Sequence, residues 1–345
     1  MGRPLLIEDL HHVLDHTGDL WEELSDARIF VTGGTGFFGC WLLETFAFIN
    51  SQLRLKAKLT ALTRDPAAFR RKAGHLAGHP SIELWQGDVR DFKFPDGEFT
   101  HVIHAATTSG APVEVGEMFD TIVEGTRRVF DFAAGCCTQK FLLTSSGAVY
   151  GTQPPDLAAV PESYAGEMES DDPKSVYGRG KRAAESLCEK SGLDAKVARC
   201  FAFVGPHLPL DAHYAIGNFI GDALAGGPLR IGGDGTPFRS YLYAADLAVW
   251  LWTILFRGET NRPYNVGSGE AISITDLAKL VAANIAPQAK IEIAGKPNPA
   301  IPPARYVPDV QRAASELDLR PLIPLNEAVR RTARWHLPAT SGFPA

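Results

Sequence analysis

The stretch Arg28-Ile-Phe-Val-Thr-Gly-Gly-Thr-Gly-Phe-Phe-Gly39 decides the fold of this chain. It begins as a short apolar run with β-branched residues, which predicts a buried strand. Glycines follow at 33, 36 and 39, and the apolar segment 40–49 has the length of a helix. A strand, a glycine turn and a helix in this order are typical of dinucleotide binding, because the helix N-terminus presents free N–H groups to phosphates.

Each glycine of the turn has its own predicted task. We expect Gly33 to allow the tight turn and Gly36 to let the backbone approach a pyrophosphate. Gly39 is expected to let the helix pack closely on the sheet. A glycine turn without a ligand is the alternative, and the flanking strand and helix argue against it.

Strands and helices alternate after this turn. The further predicted strands are 58–63, 82–85, 101–106, 141–145 and 196–199. The predicted helices between them are 66–73, 117–134 and 176–191. Alternating βα units predict an α/β fold, a Rossmann-like doubly wound parallel sheet whose ligands bind at the carboxyl ends of the strands.

Composition argues against several kinds of function. The chain has 345 residues, 45% of them apolar, which is enough for a full core. Its net charge of −6 argues against nucleic-acid binding. The N-terminus lacks the apolar region of a signal peptide, and no apolar run approaches a membrane span, so we expect a cytoplasmic protein without a membrane partner. The five cysteines are scattered without metal-ligand spacing, which predicts free thiols and no metal site.

The segment Tyr177-Gly-Arg-Gly-Lys181 is the strongest chemical signal. Two residues four apart meet on one face of a helix, and a neighbouring ammonium favours the phenolate form of a tyrosine. Tyr177 is therefore a candidate proton donor or acceptor near neutral pH. A tyrosine and a lysine on a solvated helix face are the alternative.

Three motifs in order carry a resemblance to a known family. The glycine spacing Gly33-x-x-Gly36-x-x-Gly39 and the segments Thr144-Ser-Ser-Gly-Ala-Val-Tyr-Gly151 and Tyr177-x-x-x-Lys181 resemble the extended short-chain dehydrogenases/reductases. These are nucleotide-sugar epimerases, dehydratases and 4-keto reductases, and the resemblance spans roughly residues 28–320. It implies that Ser146, Tyr177 and Lys181 are catalytic. Ser146 would also contact substrate, while Tyr177 and Lys181 would also contact the nicotinamide end of the cofactor.

The resemblance also implies a domain division. Residues 1–26 are a helical extension with an amphipathic pattern over 5–25, and 27–204 form the dinucleotide-binding domain. Residues 205–340 would form a smaller, interleaved α/β substrate domain, with elements at about 240–268 returning to the Rossmann part. Its predicted helical pieces are 214–225, 244–256, 273–284 and 325–335.

The end of the second strand bears on the cofactor. An acid there binds the ribose of NAD, but this chain has Thr63 followed by Arg64, and an arginine can pair with a 2′-phosphate. We therefore favour NADP(H), with NAD(H) as the alternative. If Asp65 and Pro66 only cap the next helix, Arg64 is a surface residue.

Further cofactor contacts follow from the resemblance. Phe37 and Phe38 belong to the glycine turn, and Asp88 with Val89 follows the third strand at the adenine end. The small residues Ala105 and Ala106, with Thr107, would pass under the nicotinamide ribose. All of these positions are read from motif order.

The substrate contacts are likewise implied by resemblance. Arg239 and Arg305 match the arginines that face a nucleoside diphosphate, and a guanidinium pairs bidentately with phosphate. Asn218 is a candidate substrate amide, with a helix-start residue as its alternative. Ala202 stands where the family usually has an asparagine, so one contact is lost or supplied elsewhere. Surface ion pairs are the alternative for both arginines.

Two residues after Ser146 separate the reaction types. The family's 4,6-dehydratases carry Asp then Glu where this chain has Gly147 and Ala148, and its decarboxylases carry Glu at the second position. Its enzymes that make GDP-fucose by 3,5-epimerisation and reduction use a Cys there. Neither Gly147 nor Ala148 can transfer a proton. The chemistry left to this site is therefore hydride transfer together with proton transfer by Tyr177.

The predicted function is an NADP(H)-dependent reduction, at C4, of a nucleoside-diphosphate 4-keto-6-deoxyhexose. A nucleotide-sugar 4-epimerase with tightly bound NAD and a transient ketone is the alternative, because the same residues serve it. A reductase of non-sugar ketones and a non-catalytic dinucleotide-binding protein are further alternatives. By analogy with the family we expect a homodimer through a four-helix bundle of 117–134 and 176–191, although a core explains apolar helix faces equally well.

Overall fold

The fold is described by a computed structural model that covers residues 2–107, 115–168, 175–212 and 214–337. Its strands are β1 Arg28–Thr32, β2 Lys58–Thr63, β3 Ile82–Gln86, β4 His101–His104, β5 Lys140–Ser146, β6 Ala195–Cys200, β7 Phe203–Val204, β8 Leu229–Ile231, β9 Phe238–Arg239, β10 Leu242–Tyr243, β11 Pro263–Val266, β12 Ile272–Ser273, β13 Ile291–Ile293 and β14 Arg305–Tyr306. Its helices are α1 Ile7–Thr17, α2 Phe37–Leu53, α3 Pro66–Lys72, α4 Gly74–Ala77, α5 Val115–Gly135, α6 Val176–Lys190, α7 Ala215–Leu224, α8 Ala244–Arg257, α9 Ile274–Ile285, α10 Gln311–Leu317 and α11 Leu325–His336. Short 3-10 helices span Gly18–Leu24 and Gly147–Tyr150.

A seven-stranded parallel sheet forms the centre of the molecule. Its order is β11-β6-β5-β4-β1-β2-β3, and helices cover both faces. The strand order reverses between β1 and β4, and the crevice beside the carboxyl ends at such a point is where ligands bind. The Rossmann-like α/β fold predicted from the sequence is confirmed.

Element ends differ from the prediction at three instructive places. The predicted strand 101–106 ends at His104, so Ala105 and Ala106 form a loop at the sheet edge. The predicted helix 66–73 is two helices, because α3 ends at Lys72 and α4 starts at Gly74. The predicted amphipathic segment 5–25 is likewise α1 followed by a 3-10 helix.

Two apolar clusters hold the two faces of the sheet. The aromatic side chains Phe30, Phe92 and Phe132 are buried together on one face. The larger cluster on the other face includes Trp41 and Trp252. Within the described ranges, no helix has both the length and the apolar character needed to cross a bilayer.

Smaller sheets follow β6 in the chain. Strand β9 pairs with β12 and β14, β8 with β13, and β7 with β10. Strand β11 joins the central sheet beside β6, so the chain returns to the Rossmann sheet after residue 260. The domain boundary at 204/205 stays a prediction.

The N-terminal extension is built into the fold. Helix α1 packs on α2 and α8, and the Asp9 carboxylate on it is fully buried. That carboxylate accepts hydrogen bonds from Tyr243 Oη and from Arg331 Nη1, each at 2.7 Å. Nearby, the Trp335 indole donates to the Pro4 carbonyl at 2.9 Å. The extension therefore links the Rossmann helices to α11.

Candidate active site

The glycine turn lies at the carboxyl end of β1. Gly33 has a φ of +72°, and a Cβ there would stand 2.4 Å from the Ala105 carbonyl oxygen. A Cβ on Gly39 would stand 2.3 Å from the Gly33 carbonyl oxygen. Both positions therefore require glycine, one for backbone conformation and both for close packing.

Gly36 is different, because the space above it is open. It is exposed, it precedes α2, and a Cβ there would meet only the Gly33 carbonyl oxygen, at 3.4 Å. Phe37 and Phe38 begin the helix, and the Phe38 ring packs edge-on against Phe203 at 5.1 Å. The first-turn N–H groups of a helix have no intrahelical acceptor. This open cradle fits the pyrophosphate of a dinucleotide.

The edge of the sheet at β2 and β3 carries charge. Arg64 follows β2 and is exposed, while Arg90 forms two hydrogen bonds to the Asp88 carboxylate, of 2.8 and 3.1 Å. Those bonds lower the pKa of the Asp88 carboxyl, with a smaller contribution from the charge of Arg64. The neighbouring Val89 is buried. Arg64 and Asp88 are thus brought together at the predicted adenine end.

Lys72 is a third cation at this edge that sequence analysis missed. Its Nζ donates to the Thr35 carbonyl of the glycine turn at 2.8 Å. The available signal was the basic end of α3, where Arg70, Arg71 and Lys72 follow one another. Because helix direction alone did not show which of the three reaches the turn, only the fold identifies Lys72.

The loop after β4 is held by a buried hydrogen-bond chain. The Ala106 N–H donates to Thr32 Oγ1 at 3.2 Å, and Thr32 Oγ1 lies 2.7 Å from His104 Nδ1. His104 Nε2 lies 3.0 Å from Thr126 Oγ1, which itself donates to the Ile122 carbonyl at 2.6 Å. Thr126 must therefore accept from Nε2–H, so that Nδ1 accepts from Thr32.

Burial, with a smaller contribution from the charge of Lys181, lowers the pKa of His104 to about 3. The imidazole is therefore neutral and acts as a fixed connector. It holds the Ala105–Ala106 loop against the end of β1, and the buried hydroxyl of Thr107 follows, without a hydrogen-bond partner among the described residues. Residues 108–114 lie outside the described residues.

Tyr177 and Lys181 lie one turn apart on α6, as their spacing indicates. Lys181 Nζ is 5.8 Å from the centroid of the Tyr177 ring and donates to the Thr144 carbonyl at 2.9 Å. The Lys181 side chain is buried, and Tyr177 is half-buried. Ser146 ends β5, where its Oγ accepts from the Ala148 N–H at 3.1 Å.

Strand alternation separates Ser146 from its neighbour Ser145. The Ser145 hydroxyl donates to the Glu185 carboxylate, which also accepts from Arg199 Nη2 at 2.7 Å. Arg199 in turn donates to the Tyr150 hydroxyl at 2.8 Å. Ser145 therefore belongs to a buried structural network, and Ser146 is the hydroxyl at the candidate site.

Tyr306 is the most important residue that sequence analysis missed. Its phenol reaches the backbone of Gly147, the residue after Ser146. The phenol oxygen is 2.7 Å from where a Cβ on Gly147 would stand, and the ring packs 4.7 Å from Phe201. The only signal in the sequence was its place beside Arg305.

Arg239 and Arg305 point to opposite faces of their small sheet. In the register of β9 and β14, Arg239 pairs with Tyr306, while Arg305 pairs with Phe238. The Arg239 guanidinium accordingly lies 5.9 Å from the Tyr306 ring centroid, and that of Arg305 lies 4.5 Å from the Phe238 ring centroid. The structure thus brings Arg239 to the Tyr306 side and Arg305 to the other side.

Asn218 lies on α7 with an unsatisfied side chain. Its backbone N–H bonds the Tyr214 carbonyl at 3.0 Å, as expected near a helix start. Its side-chain Oδ1 is buried and has no hydrogen-bond partner among the described residues. An unsatisfied buried acceptor costs free energy, so Asn218 is suited to a ligand donor.

Residues 29–267 match the model of the NAD dependent epimerase/dehydratase family. The chain belongs to this family. The match begins at the glycine-turn strand, spans Ser146, Tyr177 and Lys181, and ends just after β11.

Relatives within the family are sugar-nucleotide enzymes by name. UDP-glucuronic acid decarboxylase 1 of Arabidopsis thaliana is 30% identical over 88% of this chain and 68% of its own length. UDP-glucuronic acid decarboxylase 1 of Danio rerio is 27% identical over 89% of this chain and 72% of its own length. This chain is an NAD-dependent epimerase/dehydratase family member similar to those enzymes.

Solved structures in the family share the fold. UDP-N-acetylglucosamine 4-epimerase from Methanobrevibacter ruminantium, in complex with UDP-N-acetylmuramic acid, superimposes with a TM-score of 0.75 and 21% identity. The match covers 90% of this chain and 98% of that one. At 21% identity, this similarity shows only that the two proteins share a fold. The chemistry of this chain must be argued from its own residues.

Proposed function

We propose that this protein is an NADP(H)-dependent reductase that converts a nucleoside-diphosphate 4-keto-6-deoxyhexose to the alcohol at C4. One observation carries the proposal. Ser146 ends β5 and Tyr177 and Lys181 lie on α6, whereas Gly147 and Ala148 carry no acid and a side chain at residue 147 would collide with Phe201 and Tyr306. A reaction that needs only a hydride and one proton is the chemistry that such a site can perform.

The glycine turn, Arg64 and Lys72 would hold the dinucleotide. Gly36 and the first N–H groups of α2 are suited to its pyrophosphate, and Arg64 and Lys72 are suited to a 2′-phosphate. When bound, the dinucleotide supplies the hydride. The preference for NADP(H) rests on Arg64 and on Thr63 at the place of a ribose-binding acid.

Tyr177 is proposed to donate the proton to the C4 oxygen. Lys181 would stabilise the phenolate that remains, because a positive charge nearby favours the charged form. Ser146 would donate a hydrogen bond to the same oxygen and fix its position. In the oxidising direction the same three groups act in reverse.

Arg239, Arg305 and Asn218 are the proposed substrate contacts. Arg239 lies on the Tyr306 side, and its guanidinium suits a diphosphate. Arg305 would have to reach the same group from the other face of its sheet. The unsatisfied Asn218 oxygen would accept from a sugar hydroxyl or a base N–H.

Decarboxylation, the reaction named for the relatives, is disfavoured here. Ala148 offers no carboxylate beside Ser146, and the site of residue 147 is closed by Phe201 and Tyr306. A 4-epimerase with tightly bound NAD remains the second candidate, because the family is described as NAD dependent. It would use Ser146, Tyr177 and Lys181 in the same roles.

The deciding experiment identifies the cofactor first. Dinucleotide that co-purifies is released by denaturation and identified, and the emptied protein is titrated with NADPH and NADH. The protein is then assayed with thymidine-diphosphate 4-keto-6-deoxyglucose and NADPH. Consumption of NADPH with formation of the alcohol supports the reductase. Retained NAD, with interconversion of C4 epimers and no net NADPH consumption, supports the epimerase and overturns the reductase.

We also propose a homodimer that uses α5 and α6. These two helices pack on each other in the structure, as a four-helix bundle of two subunits requires. Light scattering during gel filtration should then give twice the chain mass of 37.3 kDa. A monomer at micromolar concentration would overturn this proposal and leave the reductase untouched.

A further inference from the structure

Glu44 is a buried carboxylate of α2 that lies about 10 Å along the helix from Phe37, where the helix begins at the phosphate cradle. We propose that the hydrogen bond from His75 to Glu44 is a positioning contact for the dinucleotide. It holds the corner between α3 and α4 against α2 and so keeps Lys72 on the glycine turn. The inference rests on the proposed function, because that function gives the Lys72 ammonium a phosphate of NADP(H) to bind.

The Glu44 carboxylate joins three other segments of the chain to α2. Its Oε1 accepts from the Leu5 N–H at 2.6 Å, and its Oε2 lies 3.1 Å from His75 Nε2. An ionised carboxylate only accepts hydrogen bonds, so the Nε2–H of His75 is the donor. His207 Nε2 lies 3.9 Å from the same Oε2. Since the Glu44 side chain is only 6% exposed, loss of a partner leaves its buried charge less compensated, and the carboxylate therefore holds these segments together.

The corner between α3 and α4 carries the contact to the glycine turn. Helix α3 ends at Lys72, and only Ala73 separates it from α4. Because His75 lies three residues after Lys72, the bond that fixes His75 on α2 also fixes the end of α3. Lys72 Nζ uses one of its three hydrogens for the Thr35 carbonyl, 2.8 Å away. This leaves hydrogens of the exposed ammonium for a phosphate in the cradle.

The N-terminal segment closes the same corner from another side. Leu5 donates to Glu44, and Gly2 lies so close to the end of α3 that a Cβ there would overlap the Lys72 carbonyl oxygen. A side chain at residue 2 must therefore displace either this segment or the main chain of Lys72. The corner is thus held at His75 by Glu44 and at Lys72 by Gly2.

The first test is His75→Leu, which removes the donor and keeps an apolar side chain in its place. Fluorescence titration should show a Kd for NADPH about five- to tenfold above that of the wild type. The Kd for NADH should change by less than about twofold, because NADH has no 2′-phosphate for Lys72. His75→Gln keeps an N–H donor and should restore the affinity for NADPH. The matched control His11→Leu removes an exposed imidazole that packs on Phe48 of α2 and should leave both constants unchanged.

The second test is a double-mutant cycle with Lys72→Met. If His75 acts through Lys72, His75→Leu has no further effect on the Kd for NADPH in this background. A purely structural role would lower the urea midpoint and weaken the binding of NADPH and NADH equally. Gly2→Ala should raise the Kd for NADPH only while Lys72 is present, whereas Gly18→Ala, with nothing within 4 Å of the new methyl, should not raise it.

The titrations separate this inference from the proposed function. Additive effects in the cycle, equal losses for both cofactors, or an unchanged Kd for NADPH in His75→Leu overturn the inference. A wild type that binds NADPH no more tightly than NADH also overturns it, because Lys72 then binds no 2′-phosphate. If the wild type prefers NADPH but reduces no 4-keto sugar nucleotide, only the proposed function fails, since the titrations need no substrate.

Discussion

Lys181 Nζ lies 5.8 Å from the centroid of the Tyr177 ring while it donates a 2.9 Å hydrogen bond to the Thr144 carbonyl. The ammonium is buried, so its charge acts on its neighbours through little water. Removal of this charge should therefore cost catalysis more than stability.

Lys181→Met is predicted to lower kcat by about 100-fold or more, because Tyr177 would lose the charge that stabilises its phenolate. The methionine fills similar space, so the melting temperature should change little. Steady-state kinetics with NADPH and a 4-keto sugar nucleotide measure the effect. Lys190→Met, at the exposed end of the same helix, is the control, and equal kcat values for the two variants would contradict the prediction.

Gly147→Ala is predicted to destabilise the fold by about 1–3 kcal/mol, the usual cost of overpacking. The added methyl would stand 2.7 Å from the Phe201 ring and from the Tyr306 hydroxyl. Chemical denaturation followed by tryptophan fluorescence measures the change. Gly135→Ala, where nothing lies within 4 Å of the new methyl, should be neutral or slightly stabilising. Full stability of the Gly147 variant would show that this site has room for a side chain.

Arg64→Ala is predicted to raise the Kd for NADPH by about 10- to 100-fold and to change that for NADH by less than about threefold. The reason is that only NADPH carries the 2′-phosphate. Lys72→Met should also raise the Kd for NADPH, because the Lys72 ammonium donates a hydrogen bond to the Thr35 carbonyl of the glycine turn. Fluorescence titration gives both constants, with Arg320→Ala, an exposed and distant site, as control. Equal losses for the two cofactors would rule out 2′-phosphate recognition.

The buried carboxylate of Glu44 is expected to make the folding stability sensitive to acid. Burial raises the pKa of its carboxyl, but His207, His75 and the Leu5 N–H together outweigh this, so the pKa is below the usual 4.5. The stability this provides is present above pH 4.5 and is lost as pH falls through the folded-state value.

Glu44→Gln should therefore lower stability at pH 7 by about 1–3 kcal/mol and flatten the decline below pH 4.5. Urea midpoints between pH 3 and pH 7 measure both effects. Glu83→Gln, on an exposed position of β3, is the control and should preserve the wild-type profile. An unchanged slope in the Glu44 variant would contradict the assignment.

The parts of the fold that were predictable are those encoded locally. Local sequence determines the strand before Gly33, the glycine turn and the helical spacing of Tyr177 and Lys181. The hydrophobic period and the residue types were therefore sufficient to predict these features. Strand alternation also separated Ser146 from Ser145. The family resemblance also implied returning Rossmann elements at about 240–268, and β11 joins the central sheet within that range.

The missed residues depend on contacts between distant segments. Tyr306 meets Gly147, the residue after Ser146, from a distant part of the chain, and only the pairing of β9 with β14 turns Tyr306, rather than Arg305, to that side. Lys72 likewise contacts Thr35 in the glycine turn. His104 contacts Thr32 on the neighbouring strand β1. Contacts between such distant residues produce no periodic pattern in the sequence, so sequence analysis could not predict them.

The N-terminal extension has a consequence for synthesis. Asp9 is bonded to Tyr243 and Arg331, and Pro4 to Trp335, so these bonds form only after α11 has left the ribosome, although α1 also packs on α2, which is made early. Until α8 and α11 are made, Leu10 and Val13, which are buried in the finished protein, are covered only in part. The growing chain thus carries a partly exposed apolar helix face through most of its translation, a segment suited to chaperone capture.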